Sequence, residues 1–549
     1  MRFVLAAAAL LTLAACQRAV APEDTAAAPR IEADVRALAD DRMQGRETGS
    51  AGYELAARYV IERMRAIGLQ PAGEDGGYRQ RVPLLQAQRQ AEGNALVIER
   101  DGARTALRFR EQFLPLLNFE AEQAQVSAPA VFVAQAVHAP ALGQDDFAGL
   151  EVRGKIAVLF GGAPARFPPD QRAYYASTDE KLRALAVRGA VGAVFVATTG
   201  DEETYPWARS AAQWLRPGLS LRGADGGPLE RKAPLRVVAR VSAAAADLLL
   251  AGDGRSAAQL YRDTDAGRLR GFALPGTLSL ATHQRIVPLQ SHNLVARLPG
   301  GARADEHVVF SAHLDHIGVG SAVDGDRIYN GAVDNALGVA VMLEAARALA
   351  AAPTRPRRSL LFVAVTGEEH GLLGAQWFAR HPGIAPGTLV ANLNLDMPLL
   401  LAPTRDAVAV GDEHSSLGPL TRQAAREVGI RLSPDPAPQE VMFVRSDQYA
   451  FIRAGVPAVY LNAGVTGAGF GDDPAAAQRD YLRLHYHQPS DDIRQPIQYA
   501  DAARLARLNA RLATLIADAP RRPTWNAGDF FGQRYGAAAL TPPEPVHAP

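Results

Sequence analysis

The chain has 549 residues, too many for a single module of about 150 residues, and its 58 Lys+Arg balance 58 Asp+Glu to a formal net charge of zero. With 48% hydrophobic and 21% charged residues, this is an ordinary globular composition: it excludes a disordered chain and offers no basic surplus to a nucleic-acid partner. The 49 glycines and 37 prolines call for many loops without reaching a low-complexity level.

Arg2 followed by the apolar run Phe3–Ala15 has the charged and apolar regions of an export signal, and it is too short to remain across a bilayer. Residues 1–15 are therefore expected to be removed. Cys16, the only cysteine, closes Leu13-Ala14-Ala15-Cys16, which resembles the bacterial lipoprotein box, where the thiol is acylated and becomes the new N-terminus. No disulfide then forms. Acyl chains gain about 0.8 kcal/mol per buried methylene, so Cys16 would hold the protein on a membrane, with the polar stretch Gln17–Pro29 as a tether. Gln17 is not the aspartate associated with inner-membrane retention, which points to the outer membrane facing the periplasm. No further apolar stretch of about 18 residues is present to span a bilayer.

Apolar positions Val35, Leu38, Leu55, Tyr59, Val60, Met64 and Ile67 recur at helical spacing, which predicts two helices with Gly68 as the stop. From about Val126 to Leu274 the texture changes to short strands and one helix: Gly154–Phe160, Lys181–Arg188 and Val191–Val196. This reads as an inserted domain over 126–275, with residues 30–125 before it and 276–520 after it forming the main domain. The stretch Phe147-Ala148-Gly149-Leu150-Glu151-Val152-Arg153-Gly154-Lys155 resembles the protease-associated domain, a β-rich module found inserted in exported peptidases.

After Pro288, apolar runs at Val308–Ala312, Leu360–Val365, Leu389–Leu395 and Ala458–Leu461 alternate with helical stretches Ala336–Leu349, Leu372–Arg380 and Ala502–Ile516. That order predicts an α/β fold with a mixed, mostly parallel sheet flanked by helices. The tail 521–549 is Pro-rich and reads as irregular. Ligands of such sheets gather beyond the carboxyl ends of the strands, and the polar residues there form a pattern. Ser311-Ala312-His313-Leu314-Asp315-His316 ends the first strand, where alternation puts His313 and Asp315 on one side. An imidazole there can bind a metal while a carboxylate two residues on orients it or a neighbouring ligand. Asp334 in Asn330-Gly331-Ala332-Val333-Asp334-Asn335 precedes an apolar helix, and either caps it or bridges two cations. Thr366-Gly367-Glu368-Glu369-His370 follows the strongest strand, and adjacent acids there allow one to coordinate a cation while the next accepts a proton from water. Asn392-Leu393-Asn394-Leu395-Asp396 and His485-Tyr486-His487 complete the set. Oxygen and nitrogen donors without thiolates suit two zinc ions in an open hydrolytic site.

Together these residues resemble the co-catalytic di-zinc aminopeptidase family that includes aminopeptidase Y, in particular bacterial members with a protease-associated insertion. The resemblance extends to Gln44-Gly45-Arg46-Glu47-Thr48-Gly49-Ser50, to Gly411–Ser416 and to Arg445-Ser446-Asp447-Gln448-Tyr449 with Gly455–Ala458. It implies the zinc exopeptidase fold. It makes His313 and Asp396 ligands of one zinc, Glu369 and His487 ligands of the other, and Asp334 the bridge. Glu368 matches the general base and Asp315 the acid that orients a ligand. Tyr486 matches a donor to the developing oxyanion and Arg445 a substrate-facing position. His316, His370, His414 and His485 are expected near the site or at the surface rather than as ligands. Val333 and Gln488 depart from the family, which more often has an acid and a threonine there. The implied reaction is hydrolysis of the first bond of peptides with a free N-terminus, by a water held between the cations whose proton passes to Glu368. Relatives of other classes fit less well. Glutaminyl cyclase lacks the large insertion, glutamate carboxypeptidase uses an arginine cluster that is not evident, and a receptor-like binding protein would have lost ligands.

Overall fold

The computed structural model describes residues 22–536 apart from 252–253, 386, 437 and 439–440, so the expected export segment and Cys16 lie outside the described residues. The chain opens with two helices, α1 (Pro22–Leu38) and α2 (Ala51–Ile67). Ser50 caps α2 by accepting the Tyr53 amide, and Gly68 ends it at φ +88°, a left-handed conformation that side chains resist. Gly68 is thus the predicted stop. The second half of the expected tether is not slack chain: α1 begins at Pro22, and Asp24 receives Arg507 at 3.0 Å. Pro29, which ends the expected tether, lies inside that helix, held there by packing of the helix's apolar side rather than by propensity.

The strand β1 (Arg79–Arg89) leads into an inserted unit. That unit contains β2 (Ala95–Arg100), β3 (Gln123–Phe132), β4 (Ile156–Phe160), α3 (Pro169–Ala176), α4 (Thr178–Val187), β5 (Gly192–Val196), β6 (Gly218–Leu221) and β7 (Val237–Val241). In it β3, β4, β5 and β7 run parallel as neighbours. The exit is one strand of 27 residues, β8 (Phe272–Leu298). Residues 277–281 of β8 pair with β2, and residues 284–294 pair with β1. The entry expected at 126 therefore lies before β2, and the exit expected at 275 falls within β8. Local apolar alternation marks a strand but not which sheet it joins, and this is why the boundary moved.

The remaining elements are β9 (Arg303–His313), α5 (Gly338–Ala350), β10 (Arg358–Val365), α6 (Leu373–Arg380), β11 (Leu389–Asn394), β12 (Asp406–Val410), α7 (Leu417–Glu427), α8 (Gln448–Arg453), β13 (Ala458–Ala463), α9 (Pro474–Leu484), α10 (Tyr499–Asp518) and α11 (Phe530–Tyr535). The central strands lie in the order β10, β9, β11, β13, all parallel, flanked by antiparallel β8 and β12. One sheet face packs Phe310 and Phe362 with α1, α2, α5 and α10; the other packs Val309 and Val363 with Phe378 and Phe451 of α6 and α8. Because both faces are covered, these strands read as unbroken apolar runs. Phe310 and Phe362 stack at 5.0 Å and 14°, tying two of the central strands directly beneath the site. Among the described residues no helix is long and apolar enough to cross a membrane.

The tail departs from the irregular chain expected of it. Helix α11 inserts Phe531, fully buried, against Phe443 at 5.3 Å, while Phe530 and Arg534 meet Tyr174 of the inserted unit at 5.4 and 4.3 Å. Pro523, the proline of the tail among the described residues, precedes this helix. His414 joins the three parts: Nδ1 lies 2.6 Å from Asp529 of the tail and Nε2 lies 3.2 Å from Asp170 of the inserted unit. Burial lowers the His414 imidazole, but the Asp170 and Asp529 carboxylates outweigh it and hold the ring up at about 9. Since the unfolded value is about 6.5, the stability contributed by this ion pair is complete below that value and is lost as pH rises through the folded one. The midpoint difference between native protein and His414→Gln in urea is expected to shrink between pH about 6 and about 9.5; a difference that stays constant contradicts the charged latch.

Candidate metal centre

The carboxyl ends of β9, β10 and β11 and the loop before α5 converge on one nest. His313, the last residue of β9, is buried, with Nε2 at 3.0 Å from Asp396 Oδ1 and 3.1 Å from Asp334 Oδ1. Asp334 Oδ2 lies 3.3 Å from His487 Nε2, and the same imidazole nitrogen lies 3.1 Å from Glu369 Oε2. The five side chains expected as ligands are thus brought together, with Asp334 between the two imidazoles. His313, Asp334 and Asp396 hold their donor atoms within metal-binding reach of one another.

His316 lies closer than expected. It is fully buried, its Nδ1 sits 2.6 Å from Glu369 Oε1, and with Asp334 and Glu369 it makes the second group within metal-binding reach. Its Nε2 is buried without a partner. The second half of the centre therefore offers two imidazoles, His316 and His487. A histidine three residues after another on an irregular strand end has no fixed direction, so spacing gave no sign of this. His370 is half-buried beside Glu369, and desolvation pushes its imidazole down to about 4. His485 donates to or accepts from Ser490 at 2.8 Å.

Of the two roles expected for the Asp315 carboxylate, orienting the His313 ring or a neighbouring ligand, the structure shows no contact with the ring. His313 Nδ1 meets the Asp315 main-chain oxygen at 3.0 Å. The Asp315 carboxylate instead accepts from Thr48 Oγ1 at 2.9 Å and from the Glu368 amide at 3.2 Å. It orients His313 through its backbone and the Glu368–Glu369 turn through its side chain. Asp334 does not cap α5; its φ of −110° and ψ of 89° are non-helical, and it lies in the turn Ala332–Leu337 before the helix. The Asp491 carboxylate holds this turn by accepting the amides of Val333 at 3.0 Å and Asp334 at 3.1 Å, while Tyr481 donates to it at 2.9 Å.

Arg46 braces the opposite wall. Its fully buried guanidinium donates to the carbonyls of Leu38, Leu314, Asn330 and Gly331, the last at 2.9 Å. The end of α1 is thereby fixed to the loops that carry His316 and Asp334. Asp491, Thr48 and Arg46 are the supporting residues that spacing did not single out.

The electrostatics of the nest call for cations. Asp315, Asp334, Asp396, Asp447 and Asp491 are all buried around Glu368 and Glu369, against one arginine and three imidazoles. Burial holds the Glu368 carboxyl well above the usual range. It also raises Asp315, to about 6. His487 is lowered by burial but raised more by Glu369 and Asp334, to about 10. Imidazoles that draw protons beside so many acids occupy the positions that divalent cations neutralise, and the mixed oxygen and nitrogen donors match zinc. A third group, Asp170, Glu413 and His414, has its imidazole taken on both nitrogens by carboxylates and serves as the ion pair described above.

Above the nest lies a cavity of about 630 Å³ between the two units, lined by Leu117, Phe119 and Leu219 of the inserted unit and by Glu368, Tyr486 and Arg445. The Tyr486 ring stacks on His487 at 3.8 Å and 29°. Arg216 of the inserted unit donates to the Ile317 carbonyl at 3.2 Å, which fixes the cavity roof one residue beyond His316. Asp491→Ala should leave the fold intact and weaken metal binding by about 10- to 100-fold, read by competition with a chromogenic chelator; unchanged affinity removes Asp491 as the support of Asp334.

Residues 293–513 match the model of peptidase family M28. A protein named "Probable zinc metalloprotease" from Pyrenophora tritici-repentis is 29% identical over 278 residues, 44% of this chain and 61% of that protein. Another of the same name from Pyrenophora teres f. teres is 29% identical over 257 residues, 44% of this chain and 52% of that one. The chain thus spans between half and two thirds of the length of these relatives. The structure of an aminopeptidase from Aneurinibacillus sp. strain AM-1 superposes with a TM-score of 0.52 at 18% identity, covering 91% of this chain and 96% of that one, a likeness of fold. The likeness to peptidase family M28 is thus carried by residues 293–513, the part of the chain that holds His313, Asp334, Glu368, Glu369, Asp396 and His487.

Proposed function

We propose that the protein is a zinc-dependent aminopeptidase that removes the N-terminal residue of peptides. The observation that carries this reading is the convergence of His313, Asp334, Asp396, Glu369 and His487 on one nest at the floor of a cavity. His313 and Asp396 would hold one zinc ion, Glu369 and His487 the other, and Asp334 both, with His316 in reach of the second. Bound there, the ions supply Lewis acidity toward a peptide carbonyl and toward water.

The side chains do the rest. Glu368, adjacent to ligand Glu369 and lining the cavity, accepts the proton of the attacking water and returns it to the leaving amine. Asp315 fixes the amide of Glu368 and so the direction of its side chain. Tyr486, packed on His487 and facing the cavity, is placed to donate to the oxyanion, and Arg445 to face the substrate. Roofing of the cavity by the inserted unit, which we read as the protease-associated type, favours exopeptidase action on a chain end over cleavage within a protein. The lipoprotein-like N-terminus supports export and anchoring through Cys16 at the outer membrane.

Activity on aminoacyl anilides tests the reading. The native protein is expected to cleave unblocked substrates, to lose activity on chelation and regain it with zinc, and to ignore N-acetylated ones; equal rates on both contradict an aminopeptidase. Glu368→Gln should keep its metal and lose turnover by about 10² or more. Asp334→Ala should instead lose metal, and full occupancy in that variant removes Asp334 as the bridge.

A further inference from the structure

Lys181 of α4 is 1% exposed, yet among the described residues no carboxylate lies within ion-pair range of its ammonium. That group donates to the Gln135 carbonyl, one acceptor for three N–H donors. The charge that acts on it is Asp146, whose carboxylate already accepts the amides of Gln135 at 3.1 Å and Val137 at 3.0 Å and the Gln144 side chain. Burial outweighs that attraction and pushes the ammonium down to about 7. A buried cation without a counter-charge is costly, and an uncharged amide would serve the Gln135 carbonyl as well. The turn alone does not explain a lysine here.

Lys181 lines a second cavity, of about 240 Å³, which shares Glu180 with the cavity above the metal nest. Its wall carries four further bases, His138, Arg183, Arg188 and Arg534, against the single acid Glu180. That acid is occupied: Arg183 pairs with it at 2.6 Å, Tyr174 donates to it at 2.6 Å, and Arg534 stands 3.9 Å away. Arg188 lies 4.0 Å over the Phe147 ring and donates to the Ala184 carbonyl at 3.0 Å. No carboxylate lies in ion-pair range of it, because Asp145, the acid that acts on it, pairs with His138 at 3.2 Å. Arg534 rests 4.3 Å over Tyr174, and the Tyr174 and Tyr175 rings meet edge-on at 4.9 Å. The cavity thus combines an excess of cations with an aromatic side.

We propose that this second cavity binds the oxyanion group of a small molecule, a carboxylate or a phosphate, on Lys181, Arg188 and Arg534, with Tyr175 against its apolar part. Guanidinium forks suit the oxygens of either group, and an oxyanion supplies the acceptors that the Lys181 ammonium lacks. The volume falls below the range of drug-sized ligands, which limits the occupant to about the size of an amino acid. None of these residues belongs to the metal nest, so the proposal stands apart from the aminopeptidase reading.

The test is calorimetric titration of the full zinc-loaded chain with inorganic phosphate and, separately, with benzoate, in a buffer free of other oxyanions. Saturable binding of at least one probe is expected, and the tighter of the two names the head group. Arg188→Ala and Arg534→Ala should each weaken it about tenfold or more, and Lys181→Met, which drops the charge and keeps the side-chain length, should weaken it at least as far. Arg188 is half-buried and Arg534 exposed, so their variants keep the test available even where Lys181→Met fails to fold. Absence of saturable binding of both probes overturns the proposal. So does native affinity in any folded variant of the three, since binding of that kind belongs to the zinc centre or to another surface. Peptidase activity does not enter the readout, so a protein that cleaves no peptide still decides this question.

Discussion

Repulsion between carboxylates governs this molecule. Asp315, Asp334, Asp396, Asp447 and Asp491 are buried around the half-buried Glu368 and Glu369 at the carboxyl ends of the central strands, and a low-dielectric interior penalises each unpaired charge heavily. The fold tolerates them by supplying donors from the main chain and from braces: Asp491 takes two amides, Asp315 takes an amide and a hydroxyl, and Arg46 locks the loops in place. What the braces leave over is a set of oxygens and imidazole nitrogens aimed at one another. On the proposed reading divalent cations resolve that remainder, and the stability of the nest and its chemistry then have the same origin.

Much of this was legible in the chain because parallel strands announce themselves. Leu360–Val365 is apolar throughout, since both faces of the central sheet are covered, and the polar residues just after such a run sit where ligands bind. His313, Glu368, Glu369 and Asp396 were found in that way. Asp334 and His487 follow no strand directly, and they gained meaning from the family pattern. His316 escaped because β9 ends at His313 and the next residues are irregular, so no periodicity directs its ring. Arg46 and Asp491 escaped for a related reason: each acts on backbone groups distant in sequence, and no spacing rule records such bonds.

The inserted unit shows a second limit. Its individual strands follow the apolar runs, yet their assignment to sheets depends on β8, which pairs with strands of the unit along one part and with β1 along another. Since that single strand passes through both sheets, the roof of the cavity and its floor share a rigid connection. Arg216 on Ile317 and His414 between Asp170 and Asp529 add contacts around the same boundary. The tail helix contributes too, although its composition suggested irregular chain.

The central claim is that the acid nest exists to hold a pair of cations. Zinc bound per chain, measured by elemental analysis after dialysis of the native protein against micromolar zinc, tests it most directly. The account predicts two ions per chain, falling toward one or none when His313 or Asp334 is replaced; a native protein that binds fewer than two, or that keeps both ions without these residues, contradicts it.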